Sequence, residues 1–177
     1  KSRTGIIDCL IKMNAKIKLV NKRIYMGERL ADIHVKSCTK LKGVNCPSNL
    51  NSRAIDEMLL LFLVAAVSQG VSKFTNLEEL NKKESKRLDW GFKILKMIGV
   101  KTKKISNHGI KIYGNPNLSL NKTFNVMNYL KDHRIFMVCI IAALTLGGKW
   151  KIHDKDSIKT SFPSFLDILK NIGAKFN

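Results

Sequence analysis

Charged and polar positions of this chain recur 76 residues apart. Asp56 and Asp132 stand at that offset, and each precedes an apolar stretch carrying an Ala-Ala pair, Ala65-Ala66 and Ala142-Ala143. Lys83-Glu84-Ser85 and Lys159-Thr160-Ser161 keep the same offset, and each opens a second helical pattern, Lys86–Ile98 or Ser164–Ile172. Between them lie short strand patterns, Lys73–Leu77 and Trp150–His153. A fixed period of this kind means that one supersecondary unit is used again. Alternating helices and strands place the fold in the α/β class.

A second recurrence marks helix ends. Leu10–Lys16, Leu95–Lys101 and Leu169–Lys175 read LIKMNAK, LKMIGVK and LKNIGAK. Each predicts a last helical turn, a left-handed residue and then a strand, with Gly99, Gly173 and Asn14 in the left-handed position. Ser106-Asn107-His108-Gly109 is a turn sequence joining Lys101–Ile105 to Gly109–Tyr113 as a hairpin. Residues 1–35 read as the tail of an earlier copy: a helix to Met13, then strands at Lys16–Val20 and Ala31–Val35.

With 177 residues, the chain has the length of one domain. The longest apolar runs, Met58–Val67 and Ile135–Leu144, are about ten residues each, half of what a membrane span needs. Both predict buried core helices, and no membrane partner is expected. No charged leader precedes an apolar stretch, so a cytoplasmic location is expected. The net charge of +19 comes from scattered lysines, and aromatics are only 7%. Without an arginine-rich reading surface or interleaved aromatics, nucleic-acid binding is not expected. Cys9, Cys38, Cys46 and Cys139 form no C-x-x-C pair, and Cys9 and Cys139 sit inside helical patterns, as reduced buried thiols would. His34, His108, His133 and His153 lack metal-ligand spacing, so no metal site is expected. Gly147-Gly148-Lys149 lacks the rest of a phosphate loop and reads as a turn.

Three constellations remain. Asp56-Glu57 either caps the Met58–Val67 helix or offers a carboxylate for chemistry. Lys83 and Arg87 are helical neighbours that repel unless an anion lies between them. They read either as a solvated basic helix start, with Ser85 as its cap, or as a clamp for phosphate or carboxylate with Glu84 as acid or base. Asp132-His133-Arg134 opens the next helix. Asp132 suits a cap there, but Arg134 opposes the helix dipole, which a bound anion would offset. All these residues, with Thr160-Ser161, fall at helix starts. Repeats tend to point equivalent ends the same way, which would assemble an anion-binding surface from free N–H groups.

These pieces stand in an order that resembles 5-enolpyruvylshikimate-3-phosphate synthase over essentially the whole chain. The ordered set is Arg3-Thr4-Gly5, Gly27-Glu28, Ala31-Asp32-Ile33, Leu41-Lys42-Gly43, Ile55-Asp56-Glu57, Glu78-Glu79-Leu80, Lys83-Glu84-Ser85, Arg87-Leu88, Asp132-His133-Arg134, Ser161-Phe162-Pro163 and Gly173-Ala174. The Ile-Asp-Glu and Thr-Ser-Phe-Pro forms are similar to the glyphosate-tolerant bacterial subtype. The resemblance implies the carboxy-terminal domain of a two-domain inside-out α/β barrel built of βαβαββ units. A truncated first unit would span about residues 1–50, a second about 51–125 and a third about 126–177. It implies transfer of the enolpyruvyl group of phosphoenolpyruvate to the 5-hydroxyl of shikimate 3-phosphate by a monomer without cofactor or metal. The chain alone would be inactive, because the amino-terminal domain supplies further substrate contacts.

Carried over residue by residue, Asp56 is the base at the 5-hydroxyl and Glu84 the residue exchanging protons with the phosphoenolpyruvate methylene. Asp56 and Lys83 face shikimate 3-phosphate, while Arg87 and Arg134 bind phosphoenolpyruvate. Asn81 stands where the family commonly has arginine, and Lys86 where it has aspartate. The sister family acting on UDP-N-acetylglucosamine shares the fold, but the Lys-Glu-Ser and Asp-His-Arg motifs favour the shikimate enzyme. The reading from another class is a basic, non-enzymatic nucleic-acid-binding domain.

Overall fold

Met58-Leu59-Leu60-Leu61-Phe62-Leu63-Val64-Ala65-Ala66 is apolar on every face, and a helix of that kind must be surrounded. In the structure, a computed structural model that describes residues 4–176, this helix is the centre of the core. Arg3 of the Arg3-Thr4-Gly5 motif lies outside the described residues.

The chain enters through α1 (Gly5–Lys12), β1 (Lys16–Tyr25), β2 (Glu28–Lys36), a short α2 (Asn51–Ala54) and the central α3 (Met58–Ala66). It continues through β3 (Gly70–Phe74), α4 (Arg87–Met97), β4 (Thr102–Ile105), β5 (Gly109–Gly114) and β6 (Leu120–Val126). It ends with α5 (His133–Leu146), β7 (Gly147–Ile152) and α6 (Phe165–Asn171). Alternation of helix and strand is therefore as expected. Among the described residues, no helix is long and apolar enough to cross a membrane.

The strands form three small sheets. β1 and β2 make an antiparallel ribbon whose register slips between Val20 and Arg23. Its apolar side chains Ile24, Ile33 and Val35 remain exposed. β3, β5 and β4 form an antiparallel sheet in that spatial order, with the expected Ser106–Gly109 turn joining β4 to β5. β6 and β7 pair in parallel, with α5 as their crossover.

Seven of the nine α3 residues are buried: Met58, Leu59, Leu61, Phe62, Leu63, Ala65 and Ala66. At about 1.5–3 kcal/mol for each large side chain removed from water, this helix supplies much of the driving force for collapse. Phe62 meets Phe74 of β3 edge-to-face at 5.1 Å. α4 crosses α3 at Gly91, where a β-carbon would stand 2.8 Å from the Phe62 ring. α5 closes the other side with Ile135, Phe136, Val138, Cys139 and Ala142 buried.

The left-handed residues expected after α1, α4 and α6 are Asn14 (φ 71°), Gly99 (φ 78°) and Gly173 (φ 99°). Cys9 and Cys139 are fully buried, as their helical context implied. Two strand expectations need correcting. The strand placed at Lys73–Leu77 runs Gly70–Phe74, and Leu77 ends buried in the following loop. The strand placed at Trp150–His153 begins at Gly147, so Gly147 and Gly148 open β7 instead of forming a turn. A β-carbon on Gly148 would lie 2.9 Å from the Lys122 carbonyl of β6, so close backbone approach of the parallel strands is what calls for glycine there. β6 itself had no sequence signal, because only Phe124 and Val126 of its seven residues are buried.

Candidate active site

α3, α4 and α5 begin close together, which is why residues distant in sequence meet at one cluster. A single 3-10 turn, Ile55–Glu57, leads into α3 and carries Asp56 and Glu57. Lys83, Glu84 and Ser85 precede α4, whose first residue is Arg87. Asp132 is the N-cap of α5, its carboxylate accepting the Arg134 backbone N–H at 2.9 Å.

Arg87 is the centre of the cluster, and its side chain is only 2% exposed. Its Nε donates to Asp132 Oδ2 at 2.8 Å and its Nη2 to Asp132 Oδ1 at 3.3 Å. Nη2 also donates to Glu84 at 2.5 Å, and Nη1 reaches Asp56 at 3.5 Å. Lys83 Nζ stands 3.9 Å from the same Asp56 oxygen. Arg134 lies 3.9 Å from the other Asp56 oxygen and 3.4 Å from Glu57. Asp56, Lys83, Glu84, Arg87 and Arg134 are therefore gathered in one place, although they span 79 residues of sequence.

The electrostatics differ from the expectation in one respect. The anion between Lys83 and Arg87 is the protein's own Asp56 carboxylate, and Arg134 is likewise met by Glu57. Three cations thus face four carboxylates, Asp56, Glu57, Glu84 and Asp132. What remains open is a donor: Arg134 Nε is buried and has no hydrogen-bond partner among the described residues. The other guanidinium nitrogens are held only loosely, at 3.4 and 3.9 Å, on a side chain 27% exposed, and a guanidinium so placed is suited to capture of a phosphate or carboxylate.

Burial alone would raise the Asp132 carboxyl. Hydrogen bonds from Arg87 and Ser85, with the Arg87 charge and the Arg134 N–H, outweigh it and hold the group below the usual carboxylate range. His133, beside it, is held below the ordinary imidazole range by burial, with Arg134 and Arg87 adding to the effect and Asp132 opposing it.

Ser85 does not cap α4. Its hydroxyl donates to Asp132 Oδ2 at 2.8 Å, supporting the carboxylate that holds Arg87. The cap is Asn81, whose side-chain oxygen accepts from Leu88 N at 2.9 Å and Asp89 N at 3.4 Å. Asp132 acts both as the expected cap and as the buried partner of Arg87, and the second role had no signature in the sequence. Thr160 and Ser161 are exposed before α6, and Lys159 pairs with Asp156 at 2.9 Å.

Fold and site together define an α/β protein of the enolpyruvyl transferase kind. The enolpyruvyl transferase NikO of Streptomyces tendae shares the fold, with a TM-score of 0.65 at 14% identity over 97% of this chain and 35% of that one. The family described as EPSP synthase (3-phosphoshikimate 1-carboxyvinyltransferase) matches residues 2–169, and the chain belongs to that family. The 3-phosphoshikimate 1-carboxyvinyltransferase of Ruthia magnifica is 38% identical over 176 residues, covering 99% of this chain and 39% of the relative. That of Geobacter metallireducens is 36% identical over 174 residues, covering 98% and 39%. The solved EPSP synthase of Acinetobacter baumannii superposes with a TM-score of 0.84 at 32% identity, covering 96% of this chain and 39% of that one. The chain thus spans about 39% of the length of the relatives it matches.

Proposed function

We propose that the chain carries part of the active site of an enzyme that transfers the enolpyruvyl group of phosphoenolpyruvate to the 5-hydroxyl of shikimate 3-phosphate, releasing phosphate. The observation that carries this reading is the convergence of Asp56, Lys83, Glu84, Arg87 and Arg134 at three neighbouring helix starts, in a chain of this family.

In this reading the hydroxyl is a weak nucleophile, and Asp56 takes its proton as the new carbon–oxygen bond forms. Lys83 stands beside Asp56, its Nζ 3.9 Å from the carboxylate, and faces the shikimate ring. Glu84 exchanges protons with the phosphoenolpyruvate methylene; its side chain is 55% exposed, with one carboxylate oxygen held by Arg87 at 2.5 Å. Arg134, 27% exposed and held only at 3.4 and 3.9 Å, binds the phosphoenolpyruvate anion. Arg87 contributes charge from behind, since its donors already serve Asp132, Glu84 and Asp56. The units would follow the 1–50, 51–125 and 126–177 division. The same reading describes a cytoplasmic monomer that needs no cofactor and no nucleic acid, and whose remaining substrate contacts come from an amino-terminal domain.

The test is phosphate release from phosphoenolpyruvate plus shikimate 3-phosphate. It is run on this chain alone and joined to the amino-terminal domain of a related synthase. Turnover only in the joined form supports the proposal. A folded joined protein that releases no phosphate rejects it.

A further inference from the structure

Two buried thiols take no part in the cluster described above. Cys9 lies on the inner face of α1 and is fully buried, and Cys46, in the segment between β2 and α2, is 5% exposed. They are 37 residues apart in sequence, and the Cys9 thiol donates to Cys46 with the sulfurs 3.6 Å apart. A disulfide needs about 2.05 Å, so the sulfurs have to close by about 1.5 Å. The backbone on both sides is anchored: Met13 N donates to Cys9 O at 3.0 Å and Cys46 N to Lys73 O at 2.9 Å.

The pair is polarised. The hydrogen bond from Cys9 holds the Cys46 thiol below its ordinary range against the effect of burial, and Lys12 assists. The same hydrogen bond, with burial, pushes the Cys9 thiol up. Of the two sulfurs, Cys46 is therefore the one more readily ionised, and the thiolate is the attacking form in thiol chemistry. A cleft of about 400 Å³ is lined by chain neighbours of the pair, Asp8 and Pro47 among them, with Ile11, Lys12, Asn49 and Leu50, and the two thiols lie beneath its wall. The other two cysteines are placed differently. Cys38 donates to the Asn14 carbonyl at 3.2 Å, and Cys139 is fully buried with its thiol pushed up to about 12 by burial.

We propose that Cys9 and Cys46 form a reversible dithiol–disulfide site, in which a small peroxide oxidises Cys46 and Cys9 resolves the product. The Cys46 thiolate attacks one oxygen of hydrogen peroxide, the O–O bond breaks, and hydroxide leaves a sulfenic acid on Cys46. The Cys9 sulfur then attacks that sulfenic sulfur. The S–S bond forms, the S–O bond breaks, and the Cys9 proton leaves with the hydroxyl as water. A small dithiol reverses the change by exchange and is itself oxidised to a disulfide. The bond ties α1 to the segment that flanks β3 and closes a loop, which restricts the unfolded chain.

The native protein is treated with hydrogen peroxide, blocked with iodoacetamide in denaturant, digested with trypsin and weighed. The expected product is Thr4–Lys12 joined to Gly43–Arg53 with the loss of two hydrogen atoms. It is absent after dithiothreitol or in Cys46→Ser, and retained in Cys38→Ser. The oxidised protein is expected to melt about 5–10 °C higher than the reduced one. Recovery of Cys9 and Cys46 both alkylated, at peroxide levels that oxidise Cys38, overturns the proposal. So does a cross-link that runs through Cys38.

Discussion

The Arg87 guanidinium lies against the Asp132 carboxylate, Nε to Oδ2 at 2.8 Å, with the two side chains 2% and 0% exposed. This buried pair fastens the start of α4 to the start of α5 and so sets the distance between the residues that precede each helix. A buried pair of this kind contributes little net stability as a pair, yet breaking it leaves one charge uncompensated. Asp132→Ala is expected to destabilise the fold by about 3–5 kcal/mol. Replacing both residues, as Arg87→Met with Asp132→Leu, is expected to return most of that loss. Urea unfolding midpoints measure both effects, and a double variant no more stable than Asp132→Ala would show that the pair is not what the loss reflects.

Acid should weaken the fold in two steps of the same sign. Asp132 is held low in the folded state, so its contribution is whole above its unfolded pKa of about 3.9 and is lost as pH falls through the lower folded value. His133 is also held low, chiefly by burial, so it resists protonation when folded. Its contribution is whole above about pH 6.5 and declines below that. Thermal melts between pH 7 and pH 3 are expected to show a shallow fall below pH 6.5 that His133→Gln removes. A steeper fall below pH 4 should be blunted by Asp132→Asn. Asp156 is also held low, by Lys159, but it is fully exposed and solvent screens its effect. An unchanged upper step in His133→Gln would remove His133 from this account.

Asn81 caps α4 from outside the helix, six residues before its first residue. Asn81→Ala is expected to cost about 1 kcal/mol, as the loss of a side-chain cap usually does, and Asn81→Asp to keep the acceptor for Leu88 N while losing the 3.3 Å donation to the Asp89 carboxylate. Chemical denaturation of the two variants separates them. Equal stability in Asn81→Ala and the parent would mean that water replaces the side chain without loss.

Much of this architecture is legible in the sequence, and the reason is local. α3 and α5 are marked by apolar runs that nothing else explains, and the left-handed Asn14, Gly99 and Gly173 fix where helices stop. The 76-residue offset also located the cluster, because Asp56 and Asp132 begin equivalent helices. What could not be read was pairing across the repeat. Ser85 was expected to cap its own helix, since capping is a local interaction, yet its hydroxyl is drawn 47 positions away to Asp132. β6 was invisible because its exposed Asn121, Lys122 and Thr123 carry no alternation, and its place comes from parallel pairing with β7. The anion expected between Lys83 and Arg87 was supplied from the chain itself, which only the folded geometry could reveal.

The two arginines should separate when replaced. Arg134 is at the cluster's edge, 27% exposed, with modest contacts at 3.4 and 3.9 Å and an unused Nε. Arg87 is buried and holds Asp132. In a completed enzyme, Arg134→Ala is therefore expected to weaken phosphoenolpyruvate binding by about 10-fold to 100-fold, the loss of a charge-assisted contact or two, with a melting temperature close to the parent. Arg87→Ala is expected to lower both binding and melting temperature, because it strands Asp132 in the core. Asp56→Asn should abolish turnover while leaving phosphoenolpyruvate affinity within about threefold, since the function proposed for Asp56 is proton removal from the other substrate. Calorimetric titration with phosphoenolpyruvate alone, paired with phosphate-release assays and thermal melts, distinguishes the three. An Arg134→Ala enzyme that binds phosphoenolpyruvate as tightly as the parent would withdraw Arg134 from the anion site and leave its buried Nε without an assigned ligand.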